Sequence, residues 1–213
     1  MCINEFFLDL RYNSAMTWVI VGLGNPDEEH VRTRHNAGRM AVEYFAKKHD
    51  LGEWKEDKKS NSFIVRGAIG KQLVVCVLPN TYMNKSGSAV VKYIKSVKAA
   101  EKLIVVYDEL DMGIGSLKIS FDRGSGGHRG VESIARAVKT KKFSRVRIGV
   151  SKVNAKGETQ KPQGETDVEK FILGNFSTEE FTELKGVFKK TNEAIEEIVK
   201  EGHERAMNTF NSR

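Results

Sequence analysis

Apolar and polar positions alternate along the chain in blocks that mark out strands and helices. Trp18-Val19-Ile20-Val21 has the length and β-branched content of a buried strand, and Gly22, Gly24 and Pro26 stop it abruptly. Polar residues crowd its exit: Asn25, His30, Arg34, His35 and Asn36 fall within a dozen positions. A segment opening at Gly38 then repeats Met40, Ala41, Tyr44 and Phe45 at helical spacing and predicts a helix to about Lys48. Leu51 to Asn61, with Lys55, Glu56, Asp57, Lys58 and Lys59 in sequence, reads as a solvated loop. Two runs, Phe63 to Ile69 and Gln72 to Leu78, flank Gly70-Lys71 and predict a hairpin, so the sheet is partly antiparallel. Pro79-Asn80-Thr81 halts the second run, and Val90, Tyr93, Ile94 and Val97 place an amphipathic helix over Ser86 to Val97.

Leu103-Ile104-Val105-Val106-Tyr107 is the continuous apolar run of a strand buried on both faces, ending in Asp108-Glu109-Leu110-Asp111. Leu117 to Phe121 alternates as a half-exposed strand does. Gly124 to Gly130 forms a glycine loop, and a helix over Val131 to Val138 follows it. Arg145 to Val150 gives a last strand, and Lys152 to Thr166 a polar connection. Helices over Asp167 to Leu173 and Thr178 to about Gly202 close the chain, the second with Phe181, Leu184, Val187, Phe188, Ile195 and Val199 on its core stripe. Strands alternating with helices, plus one hairpin, predict an α/β fold: a single-domain three-layer α/β/α sandwich around a twisted mixed sheet.

Composition changes this picture little. With 213 residues, 39% of them hydrophobic, the chain builds one substantial core, and no linker, repeat or low-complexity tract divides it. Cys2 and Cys76 offer neither a disulfide framework nor metal-ligand spacing, which fits a reduced, cytoplasmic compartment, and Cys76 reads as a core residue. No run has the length of a signal peptide or a transmembrane span. Met16 stands just before the first strand, so residues 1–15 read as an extension or an overcalled start, and 16–213 as the domain. The net charge of +7 favours a polyanionic partner.

Three loops lie at the carboxyl ends of predicted strands, the place where α/β proteins put their chemistry, and each brings a different polar type: Asn25 with His35, then Asn84, then Asp108. A histidine takes a proton near neutral pH, and a carboxylate on its other nitrogen fixes the tautomer and stabilises the imidazolium. Asp108 is placed to be that carboxylate. No serine or cysteine sits in a nucleophile-elbow setting and no His and carboxylate set has metal spacing, so His35 would activate water directly. Taken alone, His35 also reads as a satisfied buried histidine, and Asn84 as a cap on the helix from Ser86. Gly22-Leu23-Gly24 imitates the start of a dinucleotide fingerprint, but Asp27 stands at the third glycine, which argues against a nucleotide-binding oxidoreductase.

Gly22-Leu23-Gly24-Asn25-Pro26 with Thr33-Arg34-His35-Asn36-Ala37-Gly38, Pro79-Asn80-Thr81-Tyr82-Met83-Asn84-Lys85-Ser86-Gly87, Asp108-Glu109-Leu110-Asp111 and Gly126-Gly127-His128 resemble bacterial-type peptidyl-tRNA hydrolase in order and spacing, from Met16 nearly to the C-terminus. The resemblance implies hydrolysis of the ester joining a peptide to the 3′ ribose of tRNA, with no metal or organic cofactor, by a monomeric enzyme that acts on peptidyl-tRNA away from membranes. Carried over by position, His35 is the general base, Asp108 its orienting carboxylate, and Asn25 the contact to the peptide that separates a blocked from a free amino group. Asn84 binds substrate and helps place water or polarise the carbonyl, and Tyr82 lines the same pocket beside Met83. A catalytically silent RNA-binding protein of the same fold is the alternative.

Two positions depart from the family pattern. Arg129 replaces the usual asparagine of His-Asn-Gly, exchanging a neutral donor-acceptor for a cation that suits a phosphate or the terminal ribose region of tRNA. His30 stands where tyrosine is common. His128 reads equally as a structural or a functional residue of the glycine loop. Lys118, Arg123, Lys139, Lys141, Lys142, Arg145 and Arg147 form a predicted basic rim for phosphate contacts without base reading, and Lys152 to Gln163 a predicted lid.

Overall fold

The structure, a computed structural model, describes residues 17–212; the extension assigned to residues 1–15 lies outside them. Strand β1 (Trp18–Gly22) is buried along its whole length and runs parallel to β4 (Gln72–Pro79) on one side and β5 (Leu103–Gly113) on the other. The apolar run of β1 has no polar face because helices cover the sheet on both sides. β3 (Ser62–Ile69) pairs antiparallel with β4 through the predicted Gly70-Lys71 turn. With β2 (Lys55–Asp57), β6 (Leu117–Phe121) and β7 (Ser144–Val153), the strand order is β2-β3-β4-β1-β5-β7-β6, and β8 (Thr159–Gln160) pairs with β7.

Helices α1 (Ala37–Lys48), α5 (Thr178–Glu201) and α6 (His203–Asn211) pack on one face around Ile20, Val42, Phe45, Cys76, Val106, Ile148 and Ile195. Helices α2 (Ser86–Val90) and α3 (Arg129–Val138) cover the other around Val21, Val77, Tyr93, Val105, Ile134 and Phe143. The expected three-layer sandwich around a mixed sheet is what forms. No helix among the described residues is long and apolar enough to cross a membrane.

Local expectations were corrected at four places. The charged stretch at Lys55–Asp57 is an edge strand, registered against Ser62–Ile64 and held at Asp57 by Lys92 and Tyr93. The helix expected over Ser86 to Val97 ends at Val90, and Tyr93 instead plugs into the core with its hydroxyl turned to Asp57 and Ser60. β5 does not stop at Tyr107 but continues through Asp108 to Gly113, since Asp108 and Glu109 still pair with Ile148 and Gly149 of β7. The Lys152 to Thr166 connection carries the β7–β8 hairpin and leads into α4 (Glu165–Ile172). The long helix ends at Gly202 as expected, where φ is 92°, and Ser177 and Glu180 start it with a reciprocal capping box; α6 beyond it is a further helix.

Candidate active site

Backbone packing brings the site together. From the end of β1, the Leu23 N–H donates to Val106 O (3.0 Å) and the Arg39 N–H to Leu23 O (2.8 Å), tying the loop and the start of α1 to β5. A Cβ on Gly38 would lie 2.1 Å from Val106 O, so only glycine lets α1 begin directly on β5. His35 sits in the short turn Arg34–Asn36 just before α1, and this approach sets it beside Asp108, two residues beyond Val106. Gly22 obeys the same constraint, its Cβ position falling 2.8 Å from Gly38 O. The Gly-x-Gly pattern therefore serves helix-to-strand contact, and packing rather than phosphate binding accounts for it.

His35 Nδ1 lies 3.0 Å from Asp108 Oδ1 and 3.1 Å from Oδ2, inside hydrogen-bond range. Asp108 is 3% exposed. Burial pushes its carboxyl up, yet the imidazoles of His35 and His128 together outweigh that and hold it well below the usual carboxylate range. An ionised carboxylate only accepts, so the His35 proton sits on Nδ1 and Nε2 keeps a free lone pair. His128 is fixed as well. Its Nδ1 accepts the N–H groups of Gly130 (3.2 Å) and Val131 (3.3 Å) as the cap of α3, so the proton on Nε2 points to Asp108 Oδ1 at 3.0 Å. His128 is thus a cap and a carboxylate partner at once.

Asn25 is oriented by two neighbours. The Asn36 side chain accepts the Asn25 N–H (2.8 Å) and donates to Asn25 O (3.0 Å), clamping its backbone. Asn25 Oδ1 accepts the Met83 N–H at 3.1 Å, which leaves Nδ2 as a donor for a ligand. These groups floor a cleft of about 560 Å³, the size of a ligand site. Asn25, His30, His35, Tyr82, Met83, Asn84, Asp108, His128 and Arg129 all line it.

The sequence model described as peptidyl-tRNA hydrolase matches residues 19–213. The chain belongs to the peptidyl-tRNA hydrolase family. The peptidyl-tRNA hydrolase of Syntrophotalea carbinolica is 37% identical to it over 196 residues, covering 92% of this chain and 97% of the relative. That of Mycobacterium ulcerans is 40% identical over 193 residues, covering 89% and 95%. The crystal structure of peptidyl-tRNA hydrolase from Acinetobacter baumannii matches with a TM-score of 0.81 at 33% identity, over 93% of this chain and 96% of that one. The mixed-sheet sandwich is accordingly the fold of the peptidyl-tRNA hydrolases.

Against the family pattern, the remaining positions separate. Arg129 pairs with Glu165 at the start of α4, bridging the mouth of the cleft. His30 Nδ1 lies 3.5 Å from Asp27 Oδ2, and Tyr82 is 59% exposed at the rim. Asn84 does not cap α2: that position belongs to Lys85, with no side-chain cap bond. Lys118 and Arg147 face one another across β6 and β7, outside the cleft, along a groove shared with Arg123. Arg147 is paired with Glu109 (2.9 Å). Arg145 leaves the predicted basic rim altogether. It is 1% exposed and donates to the carbonyls of Arg123, Gly124 and Lys141, pinning the glycine loop.

Sequence reasoning passed over Asn36 as an organiser of Asn25, although a loop this buried had to find partners for its backbone amides. Among the described residues two groups bring possible ligand atoms close together, His35 with Asp108 and His128, and Asp27 with Glu29 and His30. The first is assembled from three distant segments, so no spacing rule finds it. In that group His35 Nδ1 and His128 Nε2 are already engaged with Asp108 through hydrogen bonds.

Proposed function

We propose that this chain hydrolyses the ester between the peptide and the 3′ ribose of peptidyl-tRNA, with His35 as general base. The observation that carries the reading is the His35 Nδ1 to Asp108 contact of 3.0 Å on the cleft floor. Nε2 of His35 takes a proton from water as the oxygen attacks the ester carbonyl carbon. The imidazolium so formed rests against the ionised Asp108 and returns its proton to the departing ribose oxygen. Asn84 offers an amide donor to the carbonyl oxygen as negative charge grows there. Tyr82 and His30 flank the peptide, Met83 backs the floor, and Arg129 exchanges Glu165 for a phosphate near the tRNA terminus. The complete set of His35, Asp108, Asn25 and Asn84 speaks for the enzyme over the silent RNA-binding protein.

Residues 16–213 form the catalytic domain in this reading. The protein works as a monomer in the cytoplasm and meets tRNA through its acceptor end and phosphates, with Lys118 and Arg147 near the RNA path.

Asn25 Nδ2 supplies discrimination. A blocked amino group presents an acyl carbonyl that accepts from Nδ2, whereas a free aminoacyl ester presents an ammonium that does not. The wild type should release N-acetylamino acid from N-acetylaminoacyl-tRNA far faster than amino acid from aminoacyl-tRNA. Asn25→Ala should lower kcat/KM for the acetylated substrate about tenfold, the loss of one hydrogen bond, and leave the unblocked rate unchanged. Equal wild-type rates on both substrates would overturn the reading.

A further inference from the structure

Arg34, the residue before His35, has no part in the chemistry described above, yet it is the most heavily bonded cation near the site. It is 7% exposed and reaches to the joint between α4 and α5. Its Nη1 donates to the carbonyls of Gly174 (3.1 Å) and Asn175 (3.0 Å), with a longer contact to Phe171 O (3.5 Å). Nη2 donates to Oε1 (3.0 Å) and Oε2 (2.7 Å) of Glu180. The guanidinium also lies 4.4 Å from the ring centre of Phe171 and 5.3 Å from that of Phe176.

The backbone reinforces the grip. The Arg34 N–H donates to Gly174 O (3.1 Å), the Phe176 N–H donates to Arg32 O (3.2 Å), and Thr33 bridges to Asn175. Glu180 serves twice, as counter-charge to Arg34 and as the capping-box partner of Ser177 that starts α5. Segments about 140 positions apart are locked by a buried, charge-assisted fork that lysine cannot reproduce.

Two parts of the site depend on this clamp. Its near side is the turn Arg34–Asn36 that carries His35. Its far side is the end of α4, whose Val168, Glu169, Ile172 and Leu173 wall the cleft. We propose that Arg34, with Glu180, is a positioning residue for the hydrolysis: it fixes the His35 turn and the α4 wall relative to each other, so that base and substrate wall hold one geometry. The inference rests on the reading of His35 as base. Displacing a reacting group by about 1 Å costs on the order of a hundredfold in rate, so the clamp acts on turnover and not only on stability.

The test compares Arg34→Lys and Glu180→Gln with the wild type, using N-acetylaminoacyl-tRNA as substrate, at a temperature where circular dichroism shows each variant fully folded. Arg34→Lys should lose about 10- to 100-fold in kcat, and Glu180→Gln, which keeps an acceptor for both Arg34 and Ser177, several-fold. The Kd for deacylated tRNA, which does not need His35, should stay at the wild-type value in both. If Arg34→Lys does not fold, Glu180→Gln decides alone. Wild-type kcat in a folded variant whose Tm alone is lowered would overturn the proposal, as would equal losses in kcat and in tRNA affinity. Failure of the His35 reading shows separately, as a His35→Ala variant that is fully active.

Discussion

Replacing His35 by alanine should lower kcat on N-acetylaminoacyl-tRNA by about 10²- to 10⁴-fold, the contribution expected of a positioned general base. Neither neighbour of the imidazole can take its place. Asp108 is buried and ionised with both flanking imidazoles turned toward it, and the His128 nitrogen that faces away from Asp108 is occupied by the N–H groups of Gly130 and Val131. Affinity for deacylated tRNA should not change, because in the proposed mechanism the imidazole acts on the ester and not on the phosphates. Steady-state release of the acetylated amino acid, together with a filter-binding Kd, separates the two. A kcat within twofold of wild type would remove His35 from the mechanism.

Asp108→Asn should be about as damaging, up to about 10⁴-fold in kcat, although the side chain keeps its size. Asp108 Oδ1 accepts from both imidazoles, and an amide oxygen in its place still can, but the amide NH2 then stands where Oδ2 was, 3.1 Å from His35 Nδ1. An Asn donor facing His35 Nδ1 favours the tautomer with its proton on Nε2, which cannot take one from water. The same substitution has a pH signature in stability. The folded carboxyl titrates below its unfolded value of about 3.9, so its charge stabilises the fold fully above that pH, and the contribution is lost as pH falls through the folded value. The stability gap between wild type and Asp108→Asn, measured by urea unfolding, should be constant near neutrality and narrow below about pH 4. A gap that widens in acid would mean that the carboxyl is raised, not lowered. Because Asp108 stays ionised across the neutral range, it contributes no acid limb to kcat/KM there.

The apolar runs at Trp18–Gly22, Gln72 to Leu78 and Leu103 to Tyr107 were legible because strands covered on both faces need few polar positions. The edge strand Lys55–Asp57 was not, because a charged edge that discourages further pairing looks like any solvated loop. The end of β5 was misplaced for a related reason. Asp108 breaks the apolar pattern while remaining buried, its cost met by two histidines that lie 73 and 20 positions away. Single polar residues at strand exits could be read from their type and position. The assembly of His128 with them, the removal of Arg145 from the surface and the Arg34 clamp depend on tertiary contacts that leave no periodic trace.

The central claim is that His35 and Asp108 act as one unit on water. The most direct test is the double variant His35→Ala with Asp108→Asn, assayed on N-acetylaminoacyl-tRNA beside each single variant. If the carboxylate works through the imidazole, removing it from an enzyme already lacking His35 should cost little more, and the double variant should fall within about threefold of His35→Ala. Losses that multiply across the two sites would mean that Asp108 acts independently of His35, and would contradict the account.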